Sequence, residues 1–187
     1  IVGCGSDFIL PTIGKVVDAL GLLGPSYESS VVSSNKLLMK NAFAREGVRT
    51  AAYREVFSEE SMLMAATELG YPVVLKIVDG GGSKGVVVCR DETTLRGAYA
   101  EVQSYTHANS MVLEQLVDGE EFGAQAYVRD GKLLFTMLHG DLIYHGASGI
   151  PVGHFAPYSS EKSLQADVEE QLRKCIAALQ IDNCAIN

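Results

Sequence analysis

The sequence predicts an α+β protein, or a mixed α/β one, and not a plain doubly wound sheet. Helix-like and strand-like stretches alternate through the middle of the chain. Yet Arg129-Asp-Gly-Lys132 joins two of the strands directly as a hairpin, with Gly131 at a position that tolerates positive φ. The 187 residues, 47% of them apolar, suffice for one core of ordinary size or for two small lobes.

The first 30 residues are punctuated by Gly, Pro and Ser ("GCGSDFILPT", "GLLGPSYESS") around one short helix, Ile13 to Leu20, and are expected to be the end of a preceding domain. The chain begins "IVGCG" and stops at "DNCAIN", in what reads as a strand, so it is expected to be cut at both ends. From Ser34, "SNKLLMKNAFAREGV" predicts a helix with Leu37, Leu38, Ala42 and Phe43 on one face, Ser34 as its cap and Gly47 at its end. Lys40 and Arg45, assigned to its polar face, are expected to be solvated. A second helix, Glu59 to Leu69, stops at Gly70-Tyr-Pro72, and Val73 to Val78 follows as a buried, β-branched strand.

Gly85 to Cys89 is the next predicted strand, Glu92 to Tyr105 a helix, and Met111 to Val117 another strand. Phe122 to Val128 and Leu133 to Leu138 form the hairpin. Residues 139–158 are expected to be irregular and hold His139, His145 and His154; a last amphipathic helix runs from Glu161 to Leu179.

A formal charge of −8 without a long basic run argues against nucleic-acid and anionic-membrane surfaces, which need a concentrated Lys/Arg field. Cys4, Cys89, Cys175 and Cys184 form no C-x-x-C pair and sit among apolar neighbours. Reduced, buried thiols and a cytoplasmic location are therefore expected. No apolar run is long enough for a membrane span, and no basic signal region precedes it. The composition leaves a homo-oligomer open.

"VVLKIVDGGGSKGVVV" carries the chemistry. Gly80, Gly82 and Gly85 fit G-x-G-x-x-G, but a strand follows them where a Rossmann loop or a Walker A loop needs a helix. The kinase pattern fails too, because the lysine precedes the loop and neither H-R-D nor D-F-G occurs. What remains is a strand–loop–strand flap whose backbone N–H groups can cover phosphates, set against a purely structural glycine turn. Lys76 interrupts an otherwise apolar strand, where a cation is costly unless an anion meets it, and Glu114 interrupts Val112-Leu113 and Leu116-Val117 in the same way.

Asn35-Lys36, "YPVVLK", "GGGSKGV" and "VLEQLVDGEEFGAQAYV", in that order, resemble the ATP-grasp superfamily over residues 20–187. The resemblance implies two antiparallel-sheet lobes clasping ATP, the first covering about residues 50–113 of an ATP-grasp domain at 31–187, and residues 1–30 ending a Rossmann-like domain. Lys36 and Lys76 match the two lysines on the nucleotide phosphates, and Gly80, Gly81, Gly82, Ser83, Lys84 and Gly85 the flap that closes over them. Glu114, Gln115, Leu116 and Val117 match the hinge at the adenine edge: a carbonyl of Glu114 or Gln115 accepts from the amine and the Val117 N–H donates. Glu121 matches the acid on the ribose hydroxyls, preferred to Glu120 because strict strand alternation turns only one inward.

The implied chemistry is γ-phosphoryl transfer from Mg-ATP to a carboxylate, giving an acyl phosphate that an amine or ammonia attacks. His139 and His154, with His145, lie where related ligases place acceptor-binding groups, although surface or core histidines are equally compatible with the text. No histidine spacing marks a metal site. The family's Mg2+ ligands follow the equivalent of "CAIN", so this chain, stopping at Asn187, is expected to hold none, to bind nucleotide weakly and to show no ligase turnover. The rival readings are a non-catalytic nucleotide-binding or regulatory module of the same family, and a structural domain with an accidental glycine turn.

Overall fold

The computed structural model describes residues 7–82, 84–143, 151–159 and 162–186. The opening region holds two helices, α1 (Leu10–Leu20) and α2 (Tyr27–Ser34), where the sequence predicted one. Serine-rich and hardly amphipathic, α2 starts because the Ser26 side chain accepts from the Ser29 N–H. It packs close to α1 because Gly14 has no side chain: a Cβ there would lie 2.5 Å from Ser30 Oγ.

Then comes α3 (Lys36–Arg45), capped by Asn35 rather than Ser34: Asn35 Oδ1 accepts from the N–H groups of both Leu37 and Leu38. Gly47 follows its C-terminus at positive φ. The apolar face is not the one predicted throughout, since Leu38 is exposed while Ala42 is buried.

The first sheet contains β1 (Tyr53–Val56), β2 (Val73–Ile77), β3 (Val86–Cys89) and β4 (Met111–Gln115), antiparallel in the order β1-β4-β2-β3. Two helices cover one face, α4 (Glu59–Leu69), capped by Ser58, and α5 (Glu92–Gln103), capped by Asp91. Val73, Leu75, Ile77, Cys89 and Leu113 pack against Met62, Ala66, Leu95, Ala98 and Val102 of those helices. Alternation then turns Lys76 and Glu114 to the opposite face.

The second sheet has the order β7-β6-β5-β8, also antiparallel, with β5 (Phe122–Arg129), β6 (Lys132–Ile143), β7 (Pro151–Phe155) and β8 (Cys184–Ile186). Asp130 and Gly131 both take positive φ at the β5–β6 turn, as the hairpin required. The expectation of an irregular segment at 139–158 is corrected: β6 continues to Ile143, and β7 pairs with it. The long helix α6 (Lys162–Leu179) places Ile176, Ala178 and Leu179 in a second core with Ala42, Val48 and Val128. That core joins α3 to the second sheet.

Cys89 is buried and Cys175 and Cys184 are half-buried free thiols; Cys4 lies outside the described residues, as do Ser83 and His145. Among the described residues no helix is long and apolar enough to cross a membrane.

Candidate active site

The start of α3 is strapped to the end of β2. The Lys36 N–H donates to the Val78 carbonyl at 2.9 Å, Asn35 and Asp79 form an isolated bridge, and Lys36 Nζ donates to the Gly80 carbonyl at 2.7 Å. The "NK" pair and the glycine loop, distant in sequence, therefore form one structure.

The loop itself depends on its glycines. Gly80, Gly82 and Gly85 have φ of 148°, 68° and 64°. A Cβ at Gly80 would lie 2.5 Å from Ile77 Cδ1, and one at Gly85 2.8 Å from Ile77 Cγ2, whereas Gly82 faces open space. Ile77 also donates its N–H to the Gly85 carbonyl, which closes the loop. Gly85→Ala should cost more than Gly82→Ala: the latter adds only left-handed backbone strain of roughly 1–2 kcal/mol, the former that strain plus a clash with a buried side chain. Urea-denaturation midpoints check the order. Lys84 is exposed and Gly81 half-buried beside it.

On the face of the first sheet away from α4 and α5, three charged side chains converge. Register sets Lys76 opposite Val112 and Glu114 opposite Val74, so lysine and glutamate are diagonal neighbours on one face. The Glu114 carboxylate, 5% exposed as a residue, contacts Lys76 Nζ through Oε1 and accepts from Lys40 Nζ at 2.6 Å through Oε2. The anion that the sequence required for Lys76 is therefore Glu114. Lys40 corrects the expectation of a solvated side chain: its ammonium also donates to Thr50 Oγ1 at 2.8 Å and lies 5.1 Å from the Tyr53 ring centroid. Arg45, by contrast, is exposed and pairs with Glu46.

Electrostatics separates these ammonium groups. Burial, with Lys40 and Lys36 pushing the same way, lowers Lys76 to about 8, while Glu121 opposes the shift. Contact with the Glu114 carboxylate also favours the charged form, so Lys76 is mostly an ammonium at neutral pH. Burial lowers Lys40 as well. Lys76 keeps 26% of its side chain exposed, and so remains within reach of an anion arriving from solvent.

Beyond Gln115 the chain leaves the sheet. The N–H groups of Gln115 and Leu116 donate to the Ala52 and Pro72 carbonyls, and Val117 is 71% exposed. Strand alternation does not decide between Glu120 and Glu121, because both precede β5 and both are exposed. Their contacts do differ: Glu120 accepts from the Tyr158 hydroxyl at 2.7 Å, whereas Glu121 is the one that acts on Lys76.

His139 and His154 share a face of the second sheet with Asp141, a residue the sequence reading passed over. Both histidines place Nδ1 on Asp141 Oδ1, at 3.0 Å and 2.7 Å. The two hydrogen bonds hold the Asp141 carboxyl below the usual carboxylate range, that of His154 contributing most. Among the described residues this is the one cluster of three metal-ligating side chains. Its two nitrogen donors do not match the all-oxygen set Mg2+ takes, and Glu114 is engaged by two lysines. Neither group therefore fits Mg2+.

Two antiparallel sheets, a glycine loop between two strands, and lysines brought to it from a helix and a strand make up the arrangement that the ATP-grasp resemblance implies. The chain belongs to the ATP-grasp family: the family model for the phosphoribosylglycinamide synthetase ATP-grasp (A) domain matches residues 34–186. A phosphoribosylamine–glycine ligase from Lactococcus lactis is 30% identical over 183 residues, which cover 92% of this chain and 44% of that protein. An L-arginine-specific L-amino acid ligase from Bacillus subtilis is 27% identical over 133 residues, 68% of this chain and 32% of that one. The crystal structure of phosphoribosylglycinamide synthetase from Anaerococcus prevotii superimposes with a TM-score of 0.73 at 29% identity, covering 97% of this chain and 45% of that one. The chain thus spans less than half the length of these three relatives.

Proposed function

We propose that this chain is the nucleotide-binding part of an ATP-dependent ligase that transfers the γ-phosphoryl group to a carboxylate, giving an acyl phosphate for attack by an amine or ammonia. The observation that carries the reading is the strapping of Lys36 to Gly80 at the base of the flap, with Lys76 on the adjoining strand. Two ammonium groups at a glycine loop are what a polyphosphate needs: point charges that oppose the charge spreading over the transferring group, and backbone N–H groups free of side-chain obstruction. The same reading puts the adenine edge at Glu114 to Val117, the ribose on Glu121 and the acceptor near His139 and His154. It takes residues 1–30 as the end of a preceding domain.

The chemistry follows from what a carboxylate lacks. Its carbon is a poor electrophile and its oxygen a poor leaving group, and phosphorylation supplies both. Calorimetric titration of the chain with ATP tests the nucleotide-binding part, and no ATP binding overturns the reading. The chain by itself is expected to show no ligase turnover, so the ligase and the non-catalytic module are told apart in a longer form that carries the family's Mg2+ ligands: with Mg-ATP, a panel of amino acids and hydroxylamine, ADP formation dependent on one carboxylate with a trapped hydroxamate supports the ligase, and ATP binding without it supports the module.

Lys76 gives a pH signature. With its pKa at about 8 in the fold and 10.5 as the ordinary value, the unfolded chain binds more protons between these limits. This group's contribution to stability therefore rises with pH across that window. Nucleotide binding runs the opposite way, because a phosphate beside Lys76 raises its pKa and needs the ammonium. At pH 8 binding should take up about half a proton, read by calorimetry in buffers of different ionisation enthalpy, and Lys76→Met should remove that uptake.

A further inference from the structure

We propose that His139, Asp141 and His154 form a binding site for a divalent transition-metal ion of the Zn2+ type, separate from the lysine–glycine site and from the Mg2+ of the nucleotide. Register builds it. Asp141 lies directly opposite His154 across β6 and β7, and His139 precedes Asp141 by two residues, so all three side chains stand on one face. The intervening residues confirm the alternation, since the Phe155 ring lies across Gly140 on the other face, where a Cβ would come within 2.2 Å of it.

That face is the one turned away from α6. Ala126 and Val128 of β5 are buried on the α6 side, whereas His139 pairs with Gly123, of opposite parity on the same strand. Gly123 is required there: a Cβ would lie 2.3 Å from the His139 ring, so only glycine admits the imidazole. His139 is 5% exposed and held from below, Asp141 has a side chain 16% exposed, and His154, at 61%, opens the site to solvent.

The donor atoms are already gathered. One ligand atom from each residue lies within 4.8 Å of the others, and the two rings meet edge to face at 84° with centroids 5.1 Å apart. Two imidazole nitrogens aimed at one carboxylate oxygen, at 3.0 and 2.7 Å, each need a proton to bind it. A metal ion takes the place of both. With metal–ligand bonds of about 2.0–2.2 Å, tetrahedral donors stand roughly 3.3–3.6 Å apart, so the two nitrogen–oxygen distances must widen by about half an ångström, a shift the exposed His154 can supply. Two nitrogens and one oxygen select Zn2+, Co2+ or Ni2+ over Mg2+ and Ca2+, which take oxygen sets. Three protein ligands leave a fourth position for water or a ligand carboxylate, the pattern of an open rather than a closed zinc site.

Titration of the EDTA-stripped chain with Zn2+, and with Co2+ as a spectroscopic probe of coordination, decides the matter. One ion should bind per chain, with ligand-field bands of a nitrogen–oxygen site. His154→Ala should weaken binding at least about tenfold, and His139→Ala and Asp141→Asn likewise. Mg2+ in large excess should not displace Zn2+, and Lys76→Met and Cys175→Ser/Cys184→Ser should retain it. Absence of one-to-one binding, unchanged affinity in His154→Ala, displacement by Mg2+, or loss of binding in the cysteine variant would each overturn the proposal. His154 is exposed enough that its variant reports on the metal whatever His139→Ala does to folding, and the urea midpoint of each metal-free variant identifies any that unfold.

Discussion

Lys76→Met is expected to lower ATP affinity roughly 10- to 100-fold, the range for losing a charged hydrogen-bonding partner worth about 1.5–3 kcal/mol. The side chain sits on the strand that feeds the flap, partly exposed, and its ammonium is held charged at neutral pH by Glu114. Methionine keeps the length and apolar stem but removes the charge. The fold should tolerate it better than the ligand does, because Lys40 still meets Glu114. The measurement is the ATP-dependent rise in Tm, which reaches about 2.7 kcal/mol of stabilisation at a ligand concentration of a hundred times Kd in the parent. The stabilisation should shrink to about 0.4–1.4 kcal/mol in Lys76→Met at the same concentration, while the melting temperature without nucleotide changes little. Lys76→Arg should fall between, since a planar fork keeps the charge but not the point geometry. An unchanged ATP response in Lys76→Met would remove phosphate binding from this lysine.

The sequence made the elements with strong end signals legible. Helix α4 runs from Glu59 to Leu69 as read, because a serine cap precedes it and Gly70 stops it. It did not reveal β1, a four-residue strand, Tyr-Arg-Glu-Val, whose two charged residues hide any apolar pattern and whose pairing depends on β4 more than fifty residues away. Nor did it reveal β7, where Pro151 and Gly153 look like breakers and the strand exists through its register with β6. The site shows the same division. Lys36, Lys76 and the glycines announce themselves by residue type in an unsuitable place. Lys40 does not, although it stands one helical turn beyond Lys36 and so on the same side; its burial comes from Thr50, Ala51 and Glu114, all supplied by tertiary contact. Asp141 was equally hidden, since only the pairing of β6 with β7 turns His-Gly-Asp and a histidine thirteen residues later into one cluster.

The largest loss of stability is expected from Glu114→Ala. Glu114 is the sole carboxylate in contact with Lys40 and Lys76 among the described ion pairs, and all three side chains meet on the side of the first sheet away from α4 and α5. Its removal leaves two ammonium groups, one nearly buried and one partly so, facing each other without an anion. Burial already lowers both lysines, and each lysine lowers the other's affinity for its proton further once the carboxylate is gone. Breaking a buried pair by deleting one partner costs about 3–5 kcal/mol, against a total stability for a domain of roughly 5–15 kcal/mol. Lys40→Met should cost less, because Glu114 keeps Lys76. The triple change Lys40→Met/Lys76→Met/Glu114→Leu should recover most of the loss, since apolar side chains of similar volume avoid the desolvation that the charges require. Urea denaturation of the singles and the triple separates the two contributions: if Glu114→Ala unfolds no earlier than Lys40→Met, the carboxylate does not organise the lysines. Recovery of stability in the triple variant together with loss of the ATP response would show that the charged trio is kept for the ligand and not for the fold.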